Sequence, residues 1–221
     1  MTSSLEARLD ALERDIRINR DERAIEELMS RIHFFALDEP DVSFEVGDRG
    51  IFKGKDAITS LFVSQYGAAV LKGNLLVQLV TTGSVQVAGD GKTAKGMWRC
   101  LHLESVMPAD GNGEPDPIWA SGAYAVDFIR KGTEWKIWHL HWFRTIKCSH
   151  YDGWVRDKKW QFPGALPNSP EIGATTYHNP YTPDSVQDSI PPCPLPYEKY
   201  DGQEWMVTDQ ADLWKKYSQS I

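Results

Sequence analysis

The run Glu134 to Thr145, EWKIWHLHWFRT, sets two imidazoles and a guanidinium among three tryptophans and a phenylalanine. Imidazole exchanges protons near neutrality and serves as a general acid or base. A buried charge without a partner is costly. Such a strand is therefore a satisfied core network or the wall of a functional cavity. A side-chain period of two puts Trp135, Ile137, His139, His141 and Phe143 on one face and Trp138, Leu140, Trp142 and Arg144 on the other. A β-bulge would swap that assignment. Histidines at i and i+2 also resemble a metal pair, completed by Glu104 or His33, although no ligand-spacing motif accompanies them and the expectation is no metal.

The strand candidate Thr93–Val106 carries Trp98, Cys100, His102 and Glu104 on one face. Ala94 and Gly96 precede them; small residues fit beneath core helices, so this face is expected to point inward. Glu104 among aromatic rings is expected to have a raised pKa and to act as acid or base; the competing reading is a rim carboxylate paired with a lysine. Tyr124 shares a face with Gly122, Val126 and Phe128 and could donate to a substrate oxygen. Arg144 could bind a phenolate or carboxylate, or form a salt bridge to the C-terminal tail. His33 follows Met29 on the apolar side of a helix, and Asp38 lies five residues on. The two read as an acid–base pair, or as a core histidine and a turn residue.

The elements that must position these groups can be read in order. Leu5, Leu9, Leu12 and Ile16 mark an amphipathic helix that packs on a partner subunit or its own domain. Ile25, Leu28, Met29, Ile32, His33 and Ala36 mark a second helix, stopped before Pro40. A short helix begins near Asp56. Four strands are expected at Leu75–Val87, Thr93–Val106, Ile118–Arg130 and Glu134–Thr145, with turns at Gly89–Lys92 and Lys131–Thr133. Helices followed by long antiparallel strands predict an α+β fold with a curved sheet around helices. Nine of the thirteen prolines lie beyond residue 160. With Trp205 and Trp214 among them, residues 161–221 read as an ordered extended tail with a short helix at Asp209–Tyr217, appended to a domain spanning 1–160.

Bulk properties exclude several classes. At 221 residues, 41% hydrophobic and 25% charged, the chain has the balance of a globular protein. A net charge of -7 without a basic cluster argues against nucleic-acid binding. No apolar stretch approaches the ~20 residues of a membrane span. Cys100, Cys148 and Cys193 are expected to be reduced thiols in a cytoplasmic protein. No GxSxG, phosphate loop or dinucleotide fingerprint is present.

Two segments carry a resemblance. RDERAIEELMSRIHFFALDEPD is similar to the first core helix of SnoaL-like proteins in the nuclear transport factor 2-like superfamily. GDGKTAKGMW with GAYAVDFIRKGTEWKIWHLH is similar to that family's antiparallel hairpins. The resemblance spans about residues 20–147 and implies a cone in which a strongly bent antiparallel sheet closes on helices around a deep pocket. The family's dehydratases place a tyrosine and an aspartate five residues apart at the helix end. Here those positions are His33 and Asp38, and a histidine often found on the next strand aligns with Gln78. The Trp-Lys-Ile start of the last strand resembles one whose Trp and Ile point into the core. On that register His139 and His141 face inward, His141 being catalytic and His139 structural. The expected pocket has Trp98, Trp119, Tyr124, Phe34, Phe35 and Trp138 or Trp142 nearby, and binds a small aromatic substrate.

The extended RDERAIEELMSR…GDGKTAKGMW…WKIWHLHWFRT pattern and the long C-terminal extension are similar to the diarylpropane lyases of lignin-dimer breakdown. That resemblance implies a cofactor-free carbon–carbon lyase releasing formaldehyde. His33, Asp38, Glu104 and His141 would be its acids and bases; Trp98, His102, Tyr124 and Arg144 would hold substrate. A steroid or polyketide dehydratase or isomerase, a metal-dependent enzyme and a non-catalytic binding protein are the alternatives. A strand apolar on both faces implies a covered convex side, and a homodimer or homotrimer.

Overall fold

Ile16 through Ile25 contains no proline or glycine, so the two expected N-terminal helices run together. In the computed structural model, which describes residues 4–30, 35–69, 72–108, 110–160, 172–212 and 215, they form one helix α1, Leu5–Met29, capped by the Ser4 hydroxyl on the Ala7 amide. Only its C-terminal part is anchored: Asp21, Ile25 and Met29 are buried. The Asp21 carboxylate accepts from the Trp135 indole at 3.1 Å and pairs with Arg130.

Strands β1 (Ser43–Val46) and β2 (Ile51–Lys53) form a small hairpin that leads into helix α2 (Gly54–Ala69). The strand expected at 75–87 is divided by Thr81–Gly83 into β3 (Leu75–Val80) and β4 (Ser84–Val87). These pair in succession with β5 (Thr93–Val106), at residues 100–105 and 94–97. β6 (Asp116–Lys131) and β7 (Glu134–Ser149) complete the long antiparallel ribbon. Gly132 lies in the two-residue turn between them with φ +61°, a conformation that glycine adopts without steric cost. β1 joins the other side of β7 in parallel, giving the order β3-β5-β6-β7-β1-β2-β8, where β8 is Ile172–Gly173 from the tail.

This is the expected α+β class, with helices in the hollow of a bent sheet. Ile25 and Met29 of α1 and Ala57, Ile58 and Leu61 of α2 share one core with Trp98, Cys100, Tyr124, Val126, Phe128, Leu140 and Trp142. Two register shifts between β6 and β7 interrupt the period of two: Phe128 pairs with Ile137 but Asp127 with His139, and Gly122 pairs with Arg144 but Ser121 with Ile146. Trp138 and Thr145 are thus extra residues of β7, and bulges of this kind bend the strand and increase its twist.

Beyond β7, the short helix α3 (Gly153–Arg156) leads toward the tail. Residues 172–212 then run across the convex face of the same sheet, where Trp205 and Met206 pack on Ala125 and Phe143, with Tyr177 and Ile190 beside them. His33, Phe34, Trp214 and much of the expected Asp209–Tyr217 helix lie outside the described residues. Among the described residues no helix is long and apolar enough to cross a membrane.

Candidate active site

The bulge at Trp138 decides which side chains meet. Trp135 and Ile137 face the core as expected, but one extra residue then reverses the phase, and Leu140 and Trp142 take the concave side. His139 and His141 consequently face the tail, which corrects the inward orientation expected for both. β5 has no such interruption where it pairs with β6. Trp98, Cys100, His102 and Glu104 keep their common face, and that face is the concave one, as the spacing predicted.

His102 is the centre of the concave cluster. Its Nε2 lies 2.9 Å from the Tyr124 hydroxyl, and its ring stacks on Trp142 with centroids 4.5 Å apart. Both His102 and Tyr124 are fully buried. The phenol spans this distance because Gly122 and Ala120, opposite Cys100 and His102, present almost no side chain. Gly122 is required for a second reason: a Cβ there would strike the Phe143 carbonyl. On the other side of the imidazole, Nδ1 is 3.8 Å from Glu104 Oε1, while Glu104 Oε2 accepts from Lys147 Nζ at 2.7 Å. The line Tyr124–His102–Glu104–Lys147 therefore joins three strands.

Electrostatics assign states along that line. Burial works to raise the Glu104 pKa, but the neighbouring His102 ring and the Lys147 ammonium outweigh it and hold the carboxyl at about 2. The raised pKa expected for Glu104 is therefore corrected to a lowered one; it remains a carboxylate. Burial pulls Lys147 below its ordinary value while Glu104 opposes the shift. A carboxylate beside Nδ1 favours a proton on that nitrogen, leaving Nε2 to accept from the Tyr124 hydroxyl. Cys100, on the same face, is pushed up to about 12 by burial, so it stays a thiol rather than a nucleophile. Arg144 is buried and reaches Asp48 at 2.6 Å, with its guanidinium 5.9 Å from the Trp142 ring centroid. Trp98 packs edge-on against Phe128 deeper in the same face.

The remaining expected site residues lie elsewhere. Asp38 is 73% exposed at the side chain and pairs with Lys131 at 3.3 Å. A backbone hydrogen bond and that lysine hold its carboxyl below its usual value. It is a surface turn residue, away from the concave cluster, and its expected partner His33 is outside the described residues. Trp119 donates to His150 at 2.9 Å instead of joining the cluster, and Trp138 stacks on His139 and Tyr200 while donating to Asp41.

His141 lies 3.4 Å from Glu45 and stacks on Phe143 under the tail. Burial lowers its pKa to about 3 and raises that of Glu45. Glu45 accepts from the Thr176 amide at 2.6 Å and the Thr176 hydroxyl at 2.7 Å. His139 is 3.1 Å from Asp127, a fully buried carboxylate that also accepts from Tyr200 and Trp205, each at 2.8 Å. The paired histidines thus serve two separate carboxylates, and Glu104 lies on the opposite face. Lys147, Asp48, Glu45 and Asp127 are not among the residues that the sequence singles out. Asp127 and Lys147 did carry a signal: each is a lone charge in an otherwise apolar stretch, Val126-Asp127-Phe128 and Ile146-Lys147-Cys148.

Residues 33–141 match the family model described as a SnoaL-like domain, a stretch that begins after α1 and ends in the middle of β7. Among solved structures, LinA is 15% identical, covers 58% of this chain and 88% of its own, and gives a TM-score of 0.46. Hexachlorocyclohexane dehydrochlorinase LinA-type3 from Novosphingobium barchaimii LL02 is 16% identical, with coverages of 66% and 94% and a TM-score of 0.41. An NTF2-like protein with a cystatin-like fold from Novosphingobium aromaticivorans is 22% identical, with coverages of 62% and 85% and a TM-score of 0.38. A search of curated proteins found no match.

Proposed function

We propose that this protein is a cofactor-independent acid–base lyase acting on a small hydroxylated aromatic substrate, and that Tyr124, His102 and Glu104 move its protons. One observation carries the reading: a phenol is hydrogen-bonded to an imidazole whose far nitrogen faces an ionised carboxylate, all beneath an aromatic wall. In that arrangement Tyr124 is the group that meets substrate. His102 receives or returns the phenol's proton, and Glu104 stabilises the imidazolium that forms. Lys147 keeps Glu104 ionised, and Arg144 orients an anionic or phenolic oxygen. Positioned acids and bases contribute ~10²–10⁴ in rate each.

The substrate class suggested by the sequence resemblance is a 1,2-diarylpropane-1,3-diol with a para-phenol. Tyr124 gives a proton to the benzylic hydroxyl, which departs as water, while the substrate's para-phenol passes its own proton to water, yielding a quinone methide. The Tyr124 phenolate then takes the proton of the γ-hydroxyl. The bond between the aryl-bearing β-carbon and the γ-carbon breaks, formaldehyde leaves, and the electron pair forms the stilbene double bond and restores the aromatic ring, whose phenolate takes a proton from water. The diol is converted to stilbene, formaldehyde and water, with no external oxidant or reductant.

The test is incubation of the purified protein, without added cofactor, with both diastereomers of such a diol, following stilbene absorbance and formaldehyde. Equal amounts of the two products, lost in Tyr124→Phe, are expected. A dehydrated product without formaldehyde would move the reading to a dehydratase. Absence of turnover with either diastereomer would overturn the lyase.

A further inference from the structure

The N-terminal half of α1 presents an apolar stripe that no other described residue covers. Leu5, Leu9, Leu12 and Ile16 are 74%, 52%, 58% and 51% exposed. At 3.6 residues per turn these four side chains share one side of the helix. The buried residues Asp21, Ile25 and Met29 of the same helix lie on the opposite side. The stripe therefore faces away from the domain, and no adjustment of the helix on its own sheet could bury it.

Its spacing of four, three and four is that of a coiled-coil seam, with Leu5 and Leu12 at d positions and Leu9 and Ile16 at a positions. Leucine at both d positions with β-branched Ile16 at one of the two a positions favours two strands. The flanks say which partner fits. Arg8 and Asp15 occupy the g positions, Glu13 and Arg20 the e positions. In a parallel pair each g residue meets the e residue of the following heptad on the other helix. Two copies of this helix would thus set Arg8 against Glu13 and Asp15 against Arg20, both opposite in sign and each repeated by symmetry. The seam ends where Asn19 and Arg23 take the next d and a positions.

The geometry points to a second copy of this chain as the occupant: α1 forms a short, parallel, two-stranded coiled coil through Leu5, Leu9, Leu12 and Ile16. Two heptads are too few for a free peptide, because helix nucleation is costly. Here the helix is already nucleated by its Ser4 cap and by the docked turns at Ile25 and Met29. The association joins two domains at their N-terminal helices and leaves the concave cluster of each untouched, so it is independent of the reaction proposed above.

Sedimentation equilibrium of the full chain over a range from micromolar to hundreds of micromolar tests this. The expected result is a reversible monomer–dimer equilibrium. Leu9→Arg with Leu12→Arg should leave a monomer at every concentration, with unchanged far-ultraviolet circular dichroism and, at dilutions where the wild type is monomeric, an unchanged melting midpoint, since both positions are exposed. Arg8→Glu should weaken the dimer about five- to tenfold by turning two attractive pairs into repulsive ones. Adding Glu13→Arg should restore it, which an antiparallel pairing would not do. A monomeric wild-type chain, a trimer, a dimer that survives the double arginine variant, or failure of the charge swap to restore association would each overturn the proposal.

Discussion

The two faces of the central sheet use the same kinds of side chain to different ends. On the concave face, His102 contacts a phenol, a carboxylate and an indole that all come from the sheet itself. On the convex face, His139 and His141 contact carboxylates whose remaining oxygen valences are filled by the tail, through Thr176, Tyr177, Tyr200 and Trp205. Lys95 follows the same pattern: it is buried, paired with Asp201 at 2.6 Å and placed 4.5 Å over the Tyr197 ring. The convex polar groups fasten a segment that has too few apolar residues to bury itself. Each carboxylate satisfies several tail donors at once, and a buried charge is tolerated only when it is so partnered. The concave groups instead join β5, β6 and β7 to one another, with no partner from the tail among the contacts described.

Exchanging roles between the faces is the sharpest way to break this comparison. Tyr124→Phe and His102→Ala should each lower the turnover of the proposed lyase assay by ~10²–10⁴. His141→Ala should leave the rate of the folded enzyme within a few-fold. Equal losses on both faces would remove the distinction. Stability should show the reverse emphasis. Asp127→Ala strands the His139 imidazole, the Tyr200 hydroxyl and the Trp205 indole, and should cost roughly 3–5 kcal/mol in urea unfolding.

Acid titration separates the faces further. Unfolded His141 takes up a proton below its ordinary 6.5, which the folded imidazole refuses until about 3. Its contribution is therefore complete above pH 6.5 and is lost as pH falls toward 3, at up to about 1.4 kcal/mol per pH unit. The Glu104 pKa is lowered as well, but there it is the charged form, the carboxylate, that the folded protein favours. That contribution is present above its ordinary 4.5 and disappears as pH falls to about 2. On acidification the convex face should weaken first. Stability-versus-pH curves for His141→Asn and Glu104→Gln should flatten in the first and second windows respectively; matching windows would contradict the assigned states. The smallest effect is expected for Thr176→Val, which removes one hydroxyl donor to Glu45 and should cost about 1 kcal/mol by denaturant midpoint without altering turnover.

Much of the fold was legible because it rests on local rules. The alternation of Trp98, Cys100, His102 and Glu104 named the inward face of β5, and the Gly-containing turns marked the hairpins. Misreadings arose where a rule depends on partners. A continuous helix replaced two because nothing between Ile16 and Ile25 ends it, and apolar spacing alone does not reveal a boundary. Glu104 was expected to be protonated more readily, because Lys147 lies forty-three residues away in sequence yet 2.7 Å away in space. Asp38 looked like a site residue by its distance from His33, but the turn that holds it faces solvent beside Lys131.

By itself the sequence determined the long ribbon of β5, β6 and β7 and the inward face of β5, since a side chain's direction along an uninterrupted strand follows from the backbone period. Only the tertiary structure decided which histidines join the concave cluster. One extra residue at Trp138 reverses the phase of β7 until Thr145 restores it, and whether that residue bulges is settled by cross-strand hydrogen bonds to β6, not by the identity of its neighbours.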